Sequence, residues 1–206
     1  MRAMLVLFLA GFTAGVLSAQ NPADALALYR SGQYQQAVEV TISEIEETPR
    51  NMDSYAVLCW SLLALRRYED ALTWGNRGLE ISRFDHRLVG VVAEANYALG
   101  NDLEALSSLE EYVAIAPTGT LIPVVYYMMG EIFLRFGEFH HADIALTTAV
   151  YHNGSNAAWW TRLGFAREQA ESYAAARAAY SRAIQLAPTS TEARRGLDRL
   201  PAGASG

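Results

Sequence analysis

Residues 157–190 read AAWWTRLGFAREQAESYAAARAAYSRAIQLAPTS, with bulky and small side chains in a regular order. Trp160 and Gly164 are four residues apart, as are Ala176 and Tyr180, so each pair falls on one face of an α-helix. Pro188 ends the pattern, because proline cannot continue a helix. The stretch therefore predicts two helices that approach closely where the small residues lie.

The same order of residues recurs along the chain. Alignment on Ala176 finds an equivalent alanine in four earlier stretches, at spacings of 34, 34, 37 and 34 residues, namely Ala37, Ala71, Ala105 and Ala142. The resulting five units lie near residues 18–51, 52–85, 86–119, 123–156 and 157–190. A period of this length indicates a repeat array, in which each unit buries its apolar face against its neighbours.

Each unit is predicted to form a helix, a short turn and a second helix. Glycine occupies the turn position in three units, where a left-handed backbone suits it, and proline follows the second helix in three units. The five turns are expected near Gly32, Arg66, Gly100, Gly137 and Glu171. Beyond the fifth unit, residues 191–200 have the amphipathic pattern of a capping helix, and residues 201–206 are expected to form a flexible tail.

The quoted stretch resembles the tetratricopeptide repeat family. The matching residues are Trp160, Leu163, Gly164, Tyr173, Ala176, Tyr180, Ala183 and Pro188. The array as a whole is assigned to residues 20–190, and the resemblance covers nearly all of it. It implies an all-α, right-handed superhelical solenoid of about five helix-turn-helix units with a C-terminal capping helix. Because this family is a scaffold, the resemblance indicates the fold far more strongly than the function.

Two segments depart from the repeat pattern. The first unit is expected to have a short first helix, with Asn21 as N-cap, Pro22 in the first turn and Asp24 near the positive helix end. Between the third and fourth units, three extra residues fall at 120–122. They are expected to lengthen the turn or to add a half-turn before Pro123.

The second unit is predicted to be the least stable. Its second helix contains Gly75 and Gly78, and each glycine costs roughly 1 kcal/mol relative to alanine in a helix interior. Tyr112 occupies a position of the next unit where alanine is usual in the family. It is expected to fill the space that these glycines leave.

The N-terminus has the features of a secretory signal peptide at residues 1–19. Arg2 gives a short positive region, an apolar stretch follows, and small residues precede a cleavage site at Gln20. The alternative is an uncleaved membrane anchor, because the seventeen uncharged residues at 3–19 reach the lower limit for a span. We expect cleavage and export, to the periplasm or to the exterior.

Composition and motifs exclude several functional classes. The net charge is −6 and all 16 basic residues are arginines without a run, which argues against nucleic-acid binding. Cys59 falls at a small, buried position of its unit and is not expected to be a nucleophile. His140 and His141 would point about 100° apart on a helix, so they do not form one compact metal site. We therefore predict no enzyme activity, no cofactor and no metal.

The concave groove, lined by the first helix of each unit, is the predicted functional surface. One stripe of these helices alternates aromatic and acidic residues, namely Trp60, Glu94, Tyr97, Tyr127, Glu131, Phe165 and Glu168. The alternative for each aromatic residue is packing between neighbouring repeats. An acidic and aromatic groove suits a protein or peptide segment with basic and apolar side chains, through charge steering and stacking.

The best-known peptide site of the resembling family is a carboxylate clamp that uses lysines, and this chain has no lysine. The groove therefore favours a different class of partner. We predict a non-enzymatic interaction scaffold, exported to the cell envelope or periplasm, that binds its partner in the concave groove. The alternative is a structural or assembly subunit of an envelope or membrane complex, anchored by an uncleaved N-terminal segment.

Overall fold

The computed structural model describes residues 24–202, which form helices and no strand. The eleven helices in this range are α1 (Ala25–Arg30), α2 (Tyr34–Glu47), α3 (Met52–Ala64), α4 (Tyr68–Ile81), α5 (His86–Leu99), α6 (Asp102–Ile115), α7 (Ile122–Phe136), α8 (Phe139–His152), α9 (Ala157–Gln169), α10 (Tyr173–Leu186) and α11 (Thr191–Arg199). The predicted all-helical array of five helix pairs with a capping helix is confirmed. The predicted signal peptide at 1–19 and the last residues of the tail, 203–206, lie outside the described residues.

Consecutive helices pack antiparallel into pairs, and the pairs stack into a solenoid. First helices of neighbouring units also contact each other directly, α1 on α3, α3 on α5 and α7 on α9, while α9 contacts α11. The junction between the third and fourth units is looser: α5 and α7 make no comparable contact, and α6 touches α7 less than other neighbours in the chain touch. The three additional residues fall at this junction.

The connection at this junction is longer than at the others. Six residues separate α6 from α7, whereas four separate α2 from α3, α4 from α5 and α8 from α9. The helix α7 also begins one residue before Pro123, which occupies its first turn. The extra residues thus lengthen both the loop and the start of the helix, as expected.

The five predicted turns are all present. Gly32, Gly100 and Gly137 have φ of 79°, 77° and 75°, and Arg66 and Glu171 both have φ of 58°. A left-handed backbone costs a residue with a Cβ roughly 1–2 kcal/mol, which explains the preference for glycine. The alignment of units placed even the two turns that lack glycine.

The small residues on which the units align form the tightest part of the core. The five aligned alanines, Ala37, Ala71, Ala105, Ala142 and Ala176, are all 0% exposed. Cys59 is also buried, and burial raises the pKa of its thiol to about 12. The thiol is therefore protonated at neutral pH, as its predicted structural role requires.

The expectation for Tyr112 needs correction, whereas the low stability of the second unit stays a prediction. The space beside Gly75 and Gly78 is filled by α5, because added Cβ atoms would collide with Val92 and Leu88 respectively. Tyr112 does not fill it and packs against Gly90 of α5 instead. The glycines of α4 thus permit a close approach of two helices, a packing contribution that helix propensity omits.

The start of the array also differs from the prediction. The N-cap of α1 is Asp24, whose carboxylate accepts hydrogen bonds from the amides of Leu26 and Ala27 at 2.9 and 3.2 Å. The proposed N-cap Asn21 and first-turn Pro22 lie outside the described residues, and the helix begins after them. The expectation of a short first helix is confirmed. Within residues 24–202, no helix combines the length and apolar character needed to cross a membrane.

Candidate concave binding site

Two of the three glutamates predicted to face a partner are neutralised by arginines of the chain. Glu131 on α7 pairs with Arg162 on α9, with Nε and Oε1 2.6 Å apart. Glu168 on α9 pairs through both oxygens with Arg199 on α11, at 2.8 Å each. These ion pairs link neighbouring units. The negative charge predicted at Glu131 and Glu168 is therefore compensated within the chain, and both residues lie on first helices as expected.

The arginines in this part of the groove also cover aromatic rings. The guanidinium carbon of Arg162 lies 5.3 Å from the centre of the Phe165 ring, and that of Arg135 lies 4.8 Å from the centre of the Tyr97 ring. Arg135 is itself held by Asp102 through two hydrogen bonds, of 2.8 and 2.5 Å. Phe165 and Tyr97 thus each have one face occupied by a cation of the same chain.

Tyr127 packs between two neighbouring units. Its ring stacks on Trp159 of α9, with centroids 5.0 Å apart and planes 11° apart. Burial, followed by the charge of Glu131, raises the pKa of Tyr127 to about 12. For Tyr127 the alternative of packing between repeats describes the observed contact.

The N-terminal half of the groove contains an unfilled cavity of about 520 Å³. It is lined by α1, α3, α5, α6 and the loop that precedes α7, with Tyr29, Trp60, Leu63, Gly90, Glu94 and Leu121 among its walls. We call it the Glu94 pocket. The rings of Tyr29 and Trp60 are 5.9 Å apart and tilted by 41°, so they form a corner rather than a closed stack. Its size is that of a site for a small ligand or for one or two side chains.

Glu94 is the charged group of this pocket that lacks a partner. It is accessible to solvent through the groove, and within residues 24–202 no side chain forms a hydrogen bond or ion pair with it. Desolvation by the surrounding walls raises the pKa of Glu94. Burial, then the charges of Tyr34 and Glu94, raises the pKa of Tyr29. The pocket therefore holds a carboxylate whose charged form would be stabilised by an incoming cation.

Arg87, an arginine that also lines the pocket, is already paired with two carboxylates of the chain. Arg87 forms hydrogen bonds through Nε and Nη2 with Asp85, at 3.0 and 2.7 Å, and a third through Nη1 with Asp53 at 2.6 Å. The hydrogen bonds to Asp85, followed by that to Asp53, raise the pKa of Arg87 against the effect of burial. Arg87 thus contributes little net positive potential to the pocket.

The insertion between the third and fourth units forms one wall of the pocket, a role that the sequence analysis missed. Leu121 lies over Gly90, where an added Cβ would come within 2.9 Å of its Cδ1. Tyr112 supports both segments, since its ring lies beside Gly90 and its hydroxyl beside Gly119. Three sequence features could have revealed this wall. They are Gly90, the tyrosine Tyr112 at a position where alanine is usual, and the insertion at 120–122 that follows their unit.

The adjacent histidines do not form a metal site with their neighbours. Nδ1 of His141 lies 2.9 Å from Oε2 of Glu138, and its ring packs against Phe133. In the part of the chain that the structure describes, no three histidine, cysteine or acidic side chains are grouped as metal ligands would be. His141 instead has contacts that fit a partly solvated helix start.

A family model for the tetratricopeptide repeat matches residues 23–86 and 127–191. These ranges are more than half of the chain. The chain belongs to the tetratricopeptide repeat family. Its fold is that of a protein–protein interaction scaffold. The two matched ranges leave out residues 87–126, the segment that contains Glu94, Tyr112 and the insertion, whereas Tyr29 and Trp60 lie within the first range.

Several solved structures have a similar fold. MamA residues 41 to the end, from Desulfovibrio magneticus RS-1, is 17% identical with a TM-score of 0.71, covering 81% of this chain and 93% of that one. YrrB, described as a TPR protein with an unusual peptide-binding site, is 14% identical with a TM-score of 0.71, covering 84% and 88%. TTC0263, a thermophilic TPR protein from Thermus thermophilus, is 20% identical with a TM-score of 0.57, covering 84% and 93%. No curated protein sequence matches the chain.

Proposed function

We propose that this tetratricopeptide repeat protein is a non-enzymatic scaffold that binds a protein or peptide segment of basic and apolar character in its concave groove. The observation that carries the proposal is the Glu94 pocket, which combines apolar and aromatic walls with a carboxylate that lacks a partner. Apolar walls favour burial of an apolar side chain, and the carboxylate favours a neighbouring cation. YrrB provides an example of a peptide-binding array with this fold.

The N-terminal half of the groove is the proposed centre of binding. In the C-terminal half, Glu131 and Glu168 are held in ion pairs, and Tyr127 is stacked on Trp159. A partner that displaced these contacts would have to compensate for their stabilising energy. The Glu94 pocket can accept a side chain without displacing such contacts. Residues of the C-terminal half are therefore proposed as the rim along which a longer partner segment lies.

Selection from a displayed library of short random peptides tests the proposal. We expect the selected peptides to combine basic and apolar residues, and to bind Trp60→Ala about 30-fold more weakly, since an aromatic anchor commonly contributes about 2 kcal/mol. The matched control is Leu103→Ala on α6, which removes a side chain that is 71% exposed and does not line the pocket. Melting temperatures of both variants separate lost binding from lost stability.

Two outcomes would contradict the groove as the site. One is peptides that bind the Trp60 variant as tightly as the wild-type protein, which would place their binding outside the Glu94 pocket. The other is a selection that yields no peptide whose binding depends on Trp60.

We also propose that the protein is exported, with residues 1–19 removed as a signal peptide. Mass spectrometry of the protein recovered from its native host should find a chain that begins near Gln20. An intact N-terminus that retains Arg2 would support the alternative of a membrane-anchored assembly subunit.

A further inference from the structure

The chain uses one arrangement three times: an arginine from a neighbouring element pairs with a carboxylate and lies against an aromatic side chain. The three sets are Arg83 with Glu111 and Phe84, Arg135 with Asp102 and Tyr97, and Arg162 with Glu131 and Phe165. Arg199 and Glu168 form a related pair, in which the Tyr180 hydroxyl donates a 2.6 Å hydrogen bond to the same carboxylate that Arg199 binds. Each of the three sets joins two successive units.

The Glu94 pocket contains two parts of this arrangement and lacks the third. Glu94 supplies the carboxylate, and Tyr29 and Trp60 supply aromatic rings. Glu94 and Glu131 occupy the same position of successive units. Arg162, which pairs with Glu131, is the sixth residue of the following unit, and the sixth residue of the unit that follows Glu94 is Met128. Met128 is 6% exposed and belongs to the apolar core.

We propose that an arginine side chain of the partner enters the Glu94 pocket and completes this arrangement in trans. The proposal rests on the proposed function and specifies its anchor. The guanidinium would bind the Glu94 carboxylate, and its planar face would lie against the aromatic corner. An aliphatic neighbour in the partner would pack on Leu63 and Leu121.

Arginine fits this site better than lysine for three reasons. The guanidinium presents paired donors that match both oxygens of a carboxylate, whereas an ammonium acts as a point charge. Its flat face stacks on aromatic rings. It is also less strongly hydrated than an ammonium, so its transfer into a partly desolvated pocket costs less.

The other titratable groups that line the pocket do not oppose a cation strongly. Arg87 is paired with Asp85 and Asp53. His86 lies beside Tyr112, with ring centroids 6.4 Å apart in an edge-to-face contact.

Peptides selected on the wild-type protein provide the test. Each is synthesised with its arginine retained, replaced by lysine and replaced by citrulline, which keeps the shape of arginine without its charge. We expect lysine and citrulline each to weaken binding at least about tenfold, because lysine lacks the paired donors of the guanidinium and citrulline lacks its charge. We expect Glu94→Gln to weaken binding of the arginine peptide by a similar factor and to remove most of its advantage over citrulline.

Glu110→Gln is the matched control, since it changes the net charge equally at an exposed position of α6 outside the pocket. It should leave all affinities unchanged. The peptide series on wild-type protein requires no variant to fold, so it remains decisive if Glu94→Gln is unstable.

The outcomes separate the two proposals. Selected peptides that depend on Trp60 but bind equally with arginine, lysine or citrulline would overturn the arginine anchor and leave groove binding intact. An arginine dependence that persists unchanged in Glu94→Gln would place the anchor at another carboxylate and also overturn it. Failure to obtain any groove-dependent peptide would overturn both.

Discussion

Tyr180→Ala is expected to lower the free energy of unfolding by about 3–5 kcal/mol, the usual cost of removing a large buried ring. Tyr180 on α10 is 1% exposed and lies between two glycines, Gly164 on α9 and Gly196 on the capping helix α11. A Cβ at Gly164 would lie 2.6 Å from the Cδ1 atom of the ring. The ring therefore occupies space that three helices leave for it, and its loss creates a cavity that none of them can easily fill.

The same ring holds the capping helix through a polar contact. Its hydroxyl donates to Glu168, which Arg199 of α11 also binds. The hydrogen bond from Arg199, ahead of that from Tyr180, holds the pKa of Glu168 below its ordinary value of 4.5. Because the pKa of Glu168 is lower in the folded state than in the unfolded chain, its ion pair stabilises the fold above about pH 4.5. This stabilisation is lost as the pH falls through the pKa that Glu168 has in the folded state.

Urea denaturation and hydrogen exchange measure the effect of the Tyr180 substitution. We expect amides of α11 to exchange much faster in Tyr180→Ala, because the helix loses its packing partner. Tyr180→Phe is the matched control, since it keeps the ring and removes only the hydroxyl, at an expected cost of about 1–2 kcal/mol. If Tyr180→Phe were as unstable as Tyr180→Ala, the hydroxyl rather than the ring would hold the cap.

The architecture could be predicted because the five units each provide a separate observation of the residue type that one structural position requires. A single arginine such as Arg66 gives no sign of a left-handed turn, but its alignment with Gly32 and Gly100 does. The start of α1 was misplaced because Asn21 and Asp24 are equally good N-cap residue types, and Asp24 is the one whose carboxylate accepts from the first amides of the helix. Helix propensity alone could not reveal that Gly78 permits α5 to approach, since that depends on Leu88, ten residues away.

The first helices that carry the predicted site residues could be located from the sequence, but the ion pairs of those residues could not. The arginines that neutralise Glu131 and Glu168 do not come from one column: Arg162 is the sixth residue of its unit, and Arg199 lies beyond the last unit. A repeat alignment shows which side chains share a helix face. It does not show which residues at different positions of the repeat form ion pairs with each other. Only the three-dimensional contacts distinguish Glu94 from the other two glutamates.

Tyr112→Ala is expected to be the second strongly destabilising change, at about 3 kcal/mol or more, and to abolish peptide binding in the Glu94 pocket. Tyr112 is 1% exposed and belongs to the core between α5 and α7. Its ring supports Gly90, and its hydroxyl reaches Gly119 in the inserted loop. Removal of the ring therefore leaves the loop without support, at the junction where the first helices are least closely packed.

A second substitution in the same wall separates binding from stability. Leu121 is 37% exposed and forms the outer wall over Gly90, so Leu121→Ala should cost less than about 1 kcal/mol of stability. If the insertion acts as a wall of the binding site, this variant should nevertheless weaken the selected peptides several-fold, because it removes apolar surface that they would bury. Thermal unfolding and peptide titration of both variants provide the comparison. Unchanged peptide affinity in Leu121→Ala would assign the insertion a purely structural role, and would leave Trp60, Tyr29 and Glu94 as the whole of the site.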